Sequence, residues 1–310
     1  MKILFASNAG SSDDSWISLL QTALPDTEIL SWNETNETTG AELAIVWRPD
    51  ATLLSREPNL KAIFNLGAGV DGILKLPGLH DGIEIYRLED AGMSVQMAEY
   101  CAHAVLDASR RFADYRALQA QGQWKTMAPI QRHRWPIGVL GLGLMGERVA
   151  QTLSALEYPV SGWSRSQKSI PGIQCFAGSD TFEAFLKQTR VLINILPLTP
   201  ETHGILNKET LSQLLPNAYV INVARGEHLV DDDLLALMDA GHIDGATLDV
   251  FTEEPLPAAH PFWTHPKVTI TPHIAAASLR DQTVAQISDK IRAWSRGETV
   301  SGRVNLQTGY

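Results

Sequence analysis

Cysteine is scarce in this chain, since only Cys101 and Cys175 occur among its 310 residues. They lie far apart and form no Cys-x-x-Cys pair, which argues against a disulfide framework and favours buried thiols in a reducing compartment. Histidines with metal-motif spacing are also lacking, because His260, His265 and His273 match no zinc-ligand pattern. We therefore expect neither disulfides nor a bound metal.

Long apolar runs and an excess of basic charge are missing as well. The chain carries 25 Lys and Arg against 35 Asp and Glu, and its net charge of −10 argues against a nucleic-acid partner. No segment approaches the roughly 20 apolar residues of a membrane helix, and the run Met1–Ala6 is too short for a signal peptide. We expect a cytoplasmic globular protein that has no membrane partner.

Short runs rich in Ile, Val and Leu alternate with longer amphipathic stretches, which is typical of βαβ units in parallel sheets. A first series of strands is predicted at Lys2–Ala6, Glu28–Trp32, Leu43–Val46, Lys61–Leu66 and Ile83–Tyr86. A second series of six is predicted at Ile137–Leu140, Val160–Trp163, Val191–Leu196, Tyr219–Val223, Ala246–Asp249 and Val268–Thr271. Helices are predicted near Ser15–Leu24, Gln96–Gln121 and Leu279–Arg296, and another is predicted to begin at Asp231.

The two series predict an α/β fold with two doubly wound parallel-sheet domains and a cleft between them. Residues 98–276 are expected to form a Rossmann cofactor domain, because six strands with crossover helices complete a dinucleotide-binding sheet. Residues 1–97 and 277–310 are expected to form a smaller, flavodoxin-like substrate domain. The long helix near residues 96–121 would leave that domain, and the last helix would return to it.

A Gly-x-Gly-x-x-Gly motif follows the predicted strand Ile137–Leu140 and precedes a helix-like stretch. In that context the first glycine permits a tight turn, the second lets the backbone approach a pyrophosphate, and the third lets the helix pack on the strand. The alternative is a glycine-rich turn without a ligand. The predicted cofactor-binding residues of this motif are Gly141, Leu142, Gly143, Leu144, Met145 and Gly146.

The end of the next predicted strand carries Ser164, Arg165 and Ser166. NAD-binding domains usually place an Asp or Glu there to accept a hydrogen bond from the ribose hydroxyl. A cation between two hydroxyl groups suits a 2′-phosphate instead, so the segment predicts NADP(H), with NAD(H) as the weaker alternative. The other interpretation is that Arg165 is only a solvated charge at a strand end.

Three charged or ionisable residues follow predicted strand ends in the order Arg225, Glu254 and His273. Open α/β sheets bind ligands at the carboxyl ends of their strands. An arginine clamps a carboxylate, a histidine donates a proton near neutral pH, and a glutamate holds the imidazole in one tautomer. Singly, each could be a surface charge or a structural histidine. Together they predict the catalytic residues of a 2-oxo acid reductase.

These motifs resemble those of the D-isomer-specific 2-hydroxyacid dehydrogenase family over nearly the whole chain. The resemblance implies NADPH-dependent reduction of a small 2-oxo acid to the D-hydroxy acid. It is closest to the members that reduce glyoxylate and hydroxypyruvate. The matching segments are Asn65–Asp71, Gly141–Gly146, Leu196–Thr202, Val223–Gly226, Leu248–Leu256 and Thr271–Ala275.

The resemblance also implies roles for individual residues. Backbone N–H groups of Ala68 and Gly69 would bind the substrate carboxylate together with Arg225. His273 would deliver a proton to the keto oxygen, and Trp47 would contact a substrate that must be small. Further cofactor contacts are expected from Asp249, at the nicotinamide carboxamide, and from Leu196, Pro197, Thr202, Val223 and Ala224.

Other functions stay open at this point. One is another dehydrogenase of the same family, for example one that acts on D-lactate or D-phosphoglycerate. The other is a dinucleotide-sensing binding protein on the same scaffold, because a site can outlive its activity. The resemblance further implies a homodimer formed through the cofactor domains. The segment between Trp124 and Trp135 is either an arm of that dimer or an ordinary surface loop.

Overall fold

The computed structural model of the chain describes residues 1–8, 13–33 and 37–309. The chain forms two compact units. The first comprises Met1–Gly92 and the residues from Ser278 onward, and the second comprises Met93–Ala277. Among the described residues each unit contains one parallel β-sheet with helices, so the predicted α/β class with two parallel-sheet domains is confirmed.

The strands of the first unit are β1 (Lys2–Ser7), β2 (Glu28–Ser31), β3 (Leu43–Trp47), β4 (Ala62–Asn65) and β5 (Glu84–Tyr86). Within the described ranges they pair in the order β2-β1-β3-β4-β5, and all pairs are parallel. The helices are α1 (Asp13–Ala23), α2 (Leu53–Arg56), α3 (Asp71–Leu74) and, near the end of the chain, α10 (Arg280–Ser295). The residues of β4 are all buried, as in a parallel strand covered on both faces, so its side chains are mostly apolar rather than alternating.

The strands of the second unit are β6 (Ile137–Leu140), β7 (Val160–Ser164), β8 (Gln174–Ala177), β9 (Val191–Asn194), β10 (Ala218–Asn222), β11 (Ile243–Leu248) and β12 (Val268–Ile270). Their order is β12-β11-β10-β9-β6-β7-β8, and every pair is parallel. The strand order reverses between β6 and β9, which is where doubly wound sheets bind dinucleotides.

The helices of the second unit are α4 (Met93–Ser109), α5 (Phe112–Ala120), α6 (Leu144–Ala155), α7 (Phe182–Lys187), α8 (Lys208–Leu211) and α9 (Asp231–Asp239). Short 3₁₀ helices lie at Arg132–Arg134, Ser179–Thr181, Gly226–His228 and Pro261–Thr264. No helix of the described ranges is long and apolar enough to cross a membrane.

The eleven predicted strands are confirmed with ends shifted by at most three residues, but two details of secondary structure are wrong. The long helix expected over Gln96–Gln121 is α4 and α5, because Arg111 between them has a left-handed backbone with φ of 57°. No glycine or proline marks that break. The second sheet has a seventh strand, β8, which the sequence does not predict because this short edge strand is only partly buried.

The parallel order of the second sheet places the carboxyl ends of its strands at one edge. Gly141 follows β6 directly, and Arg225 lies three residues beyond β10. Glu254 follows β11, and His273 lies three residues beyond β12. The candidate residues of this unit therefore belong to one edge of one sheet.

Candidate active site

A hydrogen bond joins the side chains of Glu254 and His273. The Glu254 Oε2 atom lies 2.8 Å from His273 Nδ1, and the two side chains are 29% and 36% exposed. The other carboxylate oxygen of Glu254 accepts a hydrogen bond from the backbone N–H of Phe251 at 3.1 Å. With Nδ1–H donated to Glu254, Nε2 is the ring nitrogen that can exchange a proton with a ligand.

The segment that carries His273 is held by Asp249. The Asp249 carboxylate, which is 1% exposed, accepts hydrogen bonds from the backbone N–H groups of Ile274 and Ala275, both at 2.8 Å. It also accepts one from the Thr271 hydroxyl at 2.5 Å, and the Asp249 carbonyl accepts the His273 N–H at 2.8 Å. His273 has a left-handed backbone with φ of 56°, which a non-glycine residue rarely adopts. These bonds fix that conformation.

The turn after β10 brings Arg225 to the same edge. Gly226 packs so closely that a Cβ there would overlap the backbone of Phe251 and Thr252, just before Glu254. The Arg225 guanidinium is partly exposed and donates a hydrogen bond to the Ala224 carbonyl at 2.7 Å. A close backbone contact thus joins the Arg225 turn to the segment that leads into Glu254.

The glycine motif has the geometry of a phosphate-binding turn. Gly141 has a φ of 97°, and a Cβ at Gly146 would overlap the Gly141 carbonyl oxygen. Gly143 lies at the N-cap of α6, and a Cβ there would meet no atom within 4 Å. The turn is therefore tight where α6 meets β6 and open where a pyrophosphate would approach the first N–H groups of α6.

The other segments predicted to bind the cofactor lie at the same edge. Ser164 at the end of β7 donates a hydrogen bond to the Ser166 carbonyl at 2.8 Å, and Arg165 between them is exposed. The pKa of Glu201 is lowered by a hydrogen bond from its own backbone, by Thr199 and by the charge of Arg165. The positive charge of Arg165 thus acts on one residue of the loop Leu196–Thr202.

Two buried asparagines at this edge were not predicted from the sequence. Asn194 and Asn222 end the neighbouring strands β9 and β10, lie opposite each other in register and are fully buried. Asn194 Nδ2 donates a hydrogen bond to Asn222 Oδ1 at 3.0 Å, and Asn222 Nδ2 donates one to the Arg225 carbonyl at 2.9 Å. The sequence feature that could have identified them is an asparagine at the end of each of two otherwise apolar strands.

The remaining predicted site residues belong to the first unit. Trp47 ends β3, and its indole covers Gly67 so closely that a Cβ there would overlap the ring. Asn65 Nδ2 donates hydrogen bonds to the carbonyls of Gly67 and Gly69 at 3.0 and 2.7 Å. The loop is thereby held with Ala68 partly exposed and Gly69 exposed.

Metal-binding geometry is absent from the described part of the chain, where no three His, Cys, Asp or Glu residues are arranged to hold an ion. The polar groups gathered at the sheet edge are instead a carboxylate–imidazole pair, a guanidinium and the backbone N–H groups at the start of α6. This set can bind an anionic ligand and transfer a proton to it.

Comparison with known proteins gives a consistent result. Residues 102–275 match the family model described as "D-isomer specific 2-hydroxyacid dehydrogenase, NAD binding domain". The glyoxylate/hydroxypyruvate reductase A of Serratia proteamaculans is 47% identical over 302 residues, 96% of each chain. The enzyme of the same name from Yersinia enterocolitica is 47% identical over 300 residues, which are 95% of this chain and 96% of that one.

Solved structures agree over the full length. A D-isomer specific 2-hydroxyacid dehydrogenase from Xanthobacter autotrophicus, in complex with NADPH and MES, is 36% identical with a TM-score of 0.93, covering 100% of this chain and 99% of that one. An NADPH-dependent glyoxylate/hydroxypyruvate reductase from Sinorhizobium meliloti, in complex with NADP and sulfate, is 31% identical with a TM-score of 0.92 and the same coverage.

We expect Asp249→Asn to destabilise the second unit. The amide replaces one acceptor oxygen by an NH₂ group that faces a backbone N–H, so at least one buried hydrogen bond is lost. The free energy of unfolding should fall by about 1–3 kcal/mol, measured by urea denaturation. The control Asp244→Asn changes an exposed carboxylate 3.5 Å from Lys267 and should shift it by less than about 0.5 kcal/mol. Equal stability of the two variants would contradict the assignment.

Proposed function

Because this chain belongs to the D-isomer-specific 2-hydroxyacid dehydrogenase family, we propose that it is an NADPH-dependent reductase of small 2-oxo acids. It converts glyoxylate to glycolate and hydroxypyruvate to D-glycerate. The observation that carries the proposal is the Glu254–His273 hydrogen bond beside the Arg225 turn. The identity of 47% with glyoxylate/hydroxypyruvate reductases A supports this function over another dehydrogenase of the family or a dinucleotide-sensing binding protein.

The second unit is the dinucleotide-binding domain in this proposal, and the first unit is the substrate-binding domain. The open space at Gly143 and the exposed cation Arg165 fit a phosphorylated dinucleotide. When bound, the reduced nicotinamide supplies a hydride. The residues that would hold the cofactor are Gly141, Leu142, Gly143, Leu144, Met145, Gly146, Ser164, Arg165, Ser166, Leu196, Pro197, Thr202, Val223, Ala224 and Asp249.

The chain's own residues then bind and protonate the substrate. Arg225 pairs with the substrate carboxylate through its planar guanidinium. His273 Nε2 delivers a proton to the keto oxygen, while Glu254 holds Nδ1 and orients the ring. In the first unit, the N–H groups of Ala68 and Gly69 also bind the carboxylate. Trp47 contacts the substrate and, with its indole fixed over Gly67, favours small acids.

The asparagine, glycine and aspartate contacts described above act by positioning these groups. Asn222 fixes the carbonyl of Arg225, and Gly226 sets how closely the Arg225 turn approaches Phe251. Asp249 holds the backbone on the C-terminal side of His273. These contacts hold the catalytic geometry before a ligand binds, so little conformational entropy is lost on binding.

We expect the purified protein to oxidise NADPH with glyoxylate and hydroxypyruvate, followed by absorbance at 340 nm. Phenylpyruvate should be a poor substrate, because a filled pocket cannot admit a ring without repacking. His273→Ala removes the proton donor and should lower kcat/KM by about 10²–10⁴-fold, with NADPH affinity little changed.

The control for that assay is His265→Ala, which removes a histidine whose Nδ1 accepts a hydrogen bond from the Lys267 backbone N–H at 3.3 Å. It should leave kcat/KM within about twofold of the wild type. Wild-type turnover in His273→Ala would show that the proton comes from another group. A panel in which phenylpyruvate is the best substrate would reject the proposed substrate class.

Cofactor preference should depend on Arg165. Arg165→Ala removes the cation proposed to face the 2′-phosphate, so KM for NADPH should rise about tenfold, equivalent to about 1.4 kcal/mol. KM for NADH should change by less than about twofold. Lys168→Ala removes another exposed cation of the same segment and should affect neither cofactor. A native preference for NADH would contradict the proposal.

A homodimer formed through the second unit is the proposed assembly, and the cytoplasm is the proposed compartment. The dimer is supported by Trp124, whose side chain is fully exposed on the segment that precedes β6. The compartment is supported by the two free cysteines, Cys101 and Cys175.

Light scattering of the purified protein should give twice the chain mass of 34.0 kDa. Trp124→Ser should lower the dimer fraction, and Trp263→Ser, which also changes an exposed indole, should not. A monomer mass for the wild type would reject the dimer.

A further inference from the structure

A buried histidine that the proposed chemistry does not use lies three residues after Arg225, the residue proposed to bind the substrate carboxylate. His228 ends the 3₁₀ helix Gly226–His228, which begins one residue after Arg225, and it is fully buried. Its Nε2 atom lies 3.3 Å from the carbonyl oxygen of Pro197. Burial lowers the pKa of His228, while the carbonyls of Pro197 and Arg225 act in the opposite direction. The ring is therefore neutral at pH 7 and has one N–H to donate.

The Pro197 carbonyl, in the proposed cofactor loop, is held by more than the contact with His228. It also accepts a hydrogen bond from the Thr202 hydroxyl at 2.7 Å, and that hydroxyl accepts one from the Thr199 N–H at 2.9 Å. The loop between Leu196 and Thr202 thus closes on Pro197. His228 is the side chain that reaches this point from the Arg225 turn.

The backbone joins the same two segments just beyond the loop. The N–H of Gly204 donates a hydrogen bond to the Glu227 carbonyl at 2.9 Å, and the N–H of Leu206 donates one to the His228 carbonyl at 2.8 Å. Underneath, the Asn194–Asn222 pair connects the two strand ends from which both segments start. The hydrogen bond between His228 and Pro197 therefore adds a side-chain contact to the backbone hydrogen bonds that join the loop to the Arg225 turn.

We propose that His228 is a positioning residue that couples cofactor binding to substrate-carboxylate binding, by holding the Pro197 loop and the Arg225 turn in one arrangement. The inference rests on the proposed function, in which the loop contacts the dinucleotide and Arg225 contacts the acid. Because His228 is fully buried, it acts through Pro197 and Arg225 and touches neither ligand. A ligand that orders either segment then favours the binding of the other ligand, and the effect is reciprocal.

The test measures this coupling directly as a ratio of dissociation constants. The Kd of NADPH is determined by fluorescence with and without saturating oxalate, a dicarboxylate that resembles a 2-oxo acid but has no reducible keto group. In the wild type, oxalate should tighten NADPH binding by at least about fivefold, the lower end of typical allosteric couplings. His228→Leu should bring the ratio to within about twofold of one. In turnover it should raise KM for glyoxylate more than it lowers kcat.

Two variants separate coupling from a general structural effect. His228→Gln keeps an N–H donor of similar reach and should restore most of the ratio. His242→Leu removes a bond of the same kind, from Nε2 to the Leu211 carbonyl at 3.2 Å, far from the Arg225 turn in sequence, and should keep the wild-type ratio. If His228→Leu does not fold, His228→Asn replaces it, because its shorter amide cannot reach the Pro197 carbonyl, and the same loss is expected.

The coupling role of His228 and the proposed reductase activity can fail separately. A wild-type ratio of one, an unchanged ratio in His228→Leu, or an equal loss in His242→Leu would overturn the coupling role even if glyoxylate is reduced. If the wild type failed to reduce glyoxylate or hydroxypyruvate with NADPH, the proposed function would fail, while the oxalate ratio would still report whether His228 links the two segments.

Discussion

The buried carboxylate of Asp249 determines where His273 can be. The carboxylate accepts hydrogen bonds from two backbone N–H groups and one hydroxyl of the segment that carries the imidazole. The backbone carbonyl of Asp249 accepts one from the His273 N–H. A left-handed residue other than glycine costs about 1–3 kcal/mol, and it persists only where surrounding contacts fix it. Without this arrangement the ring would not be presented to Glu254, and the carboxylate–imidazole pair would not form.

The second constraint is the closeness of two backbones at Gly226. Because no side chain fits between the Arg225 turn and the Phe251–Thr252 peptide, the distance between the guanidinium segment and the Glu254 segment is set by main-chain contact. Side chains can change rotamer within a fixed fold, but packed backbone segments cannot slide without breaking the sheet-edge hydrogen bonds. The buried Asn194–Asn222 pair fixes the same region from the strand ends below.

Much of this architecture could be predicted from the sequence because its signals are local. Apolar runs located the eleven predicted strands, and the position of the glycine motif after β6 identified the turn. The order Arg225, Glu254, His273 indicated one sheet edge, and the structure brings the last two into contact. The break at Arg111 and the edge strand β8 could not be predicted, since neither carries a glycine, a proline or a buried apolar pattern.

The hydrogen-bond network around the site could not be predicted either. An asparagine at a strand end or a histidine after an arginine has the same local sequence whether it is solvated or buried, so only the fold shows the partners of Asn194, Asn222 and His228. Asp249 illustrates the same limit. The resemblance implies a contact with the nicotinamide, while the observed hydrogen-bond partners of its carboxylate are Thr271, Ile274 and Ala275 in the turn that carries His273.

The contact between Trp47 and Gly67 has a consequence for how this protein can diverge. Because a Cβ at position 67 would overlap the indole, any other residue there requires Trp47 to move or to be replaced first. Residues in direct contact have strongly non-additive effects, so the order in which the two positions change matters. A descendant with a larger residue at position 67 would therefore have to shift or replace Trp47 as well, so the two positions are expected to change together.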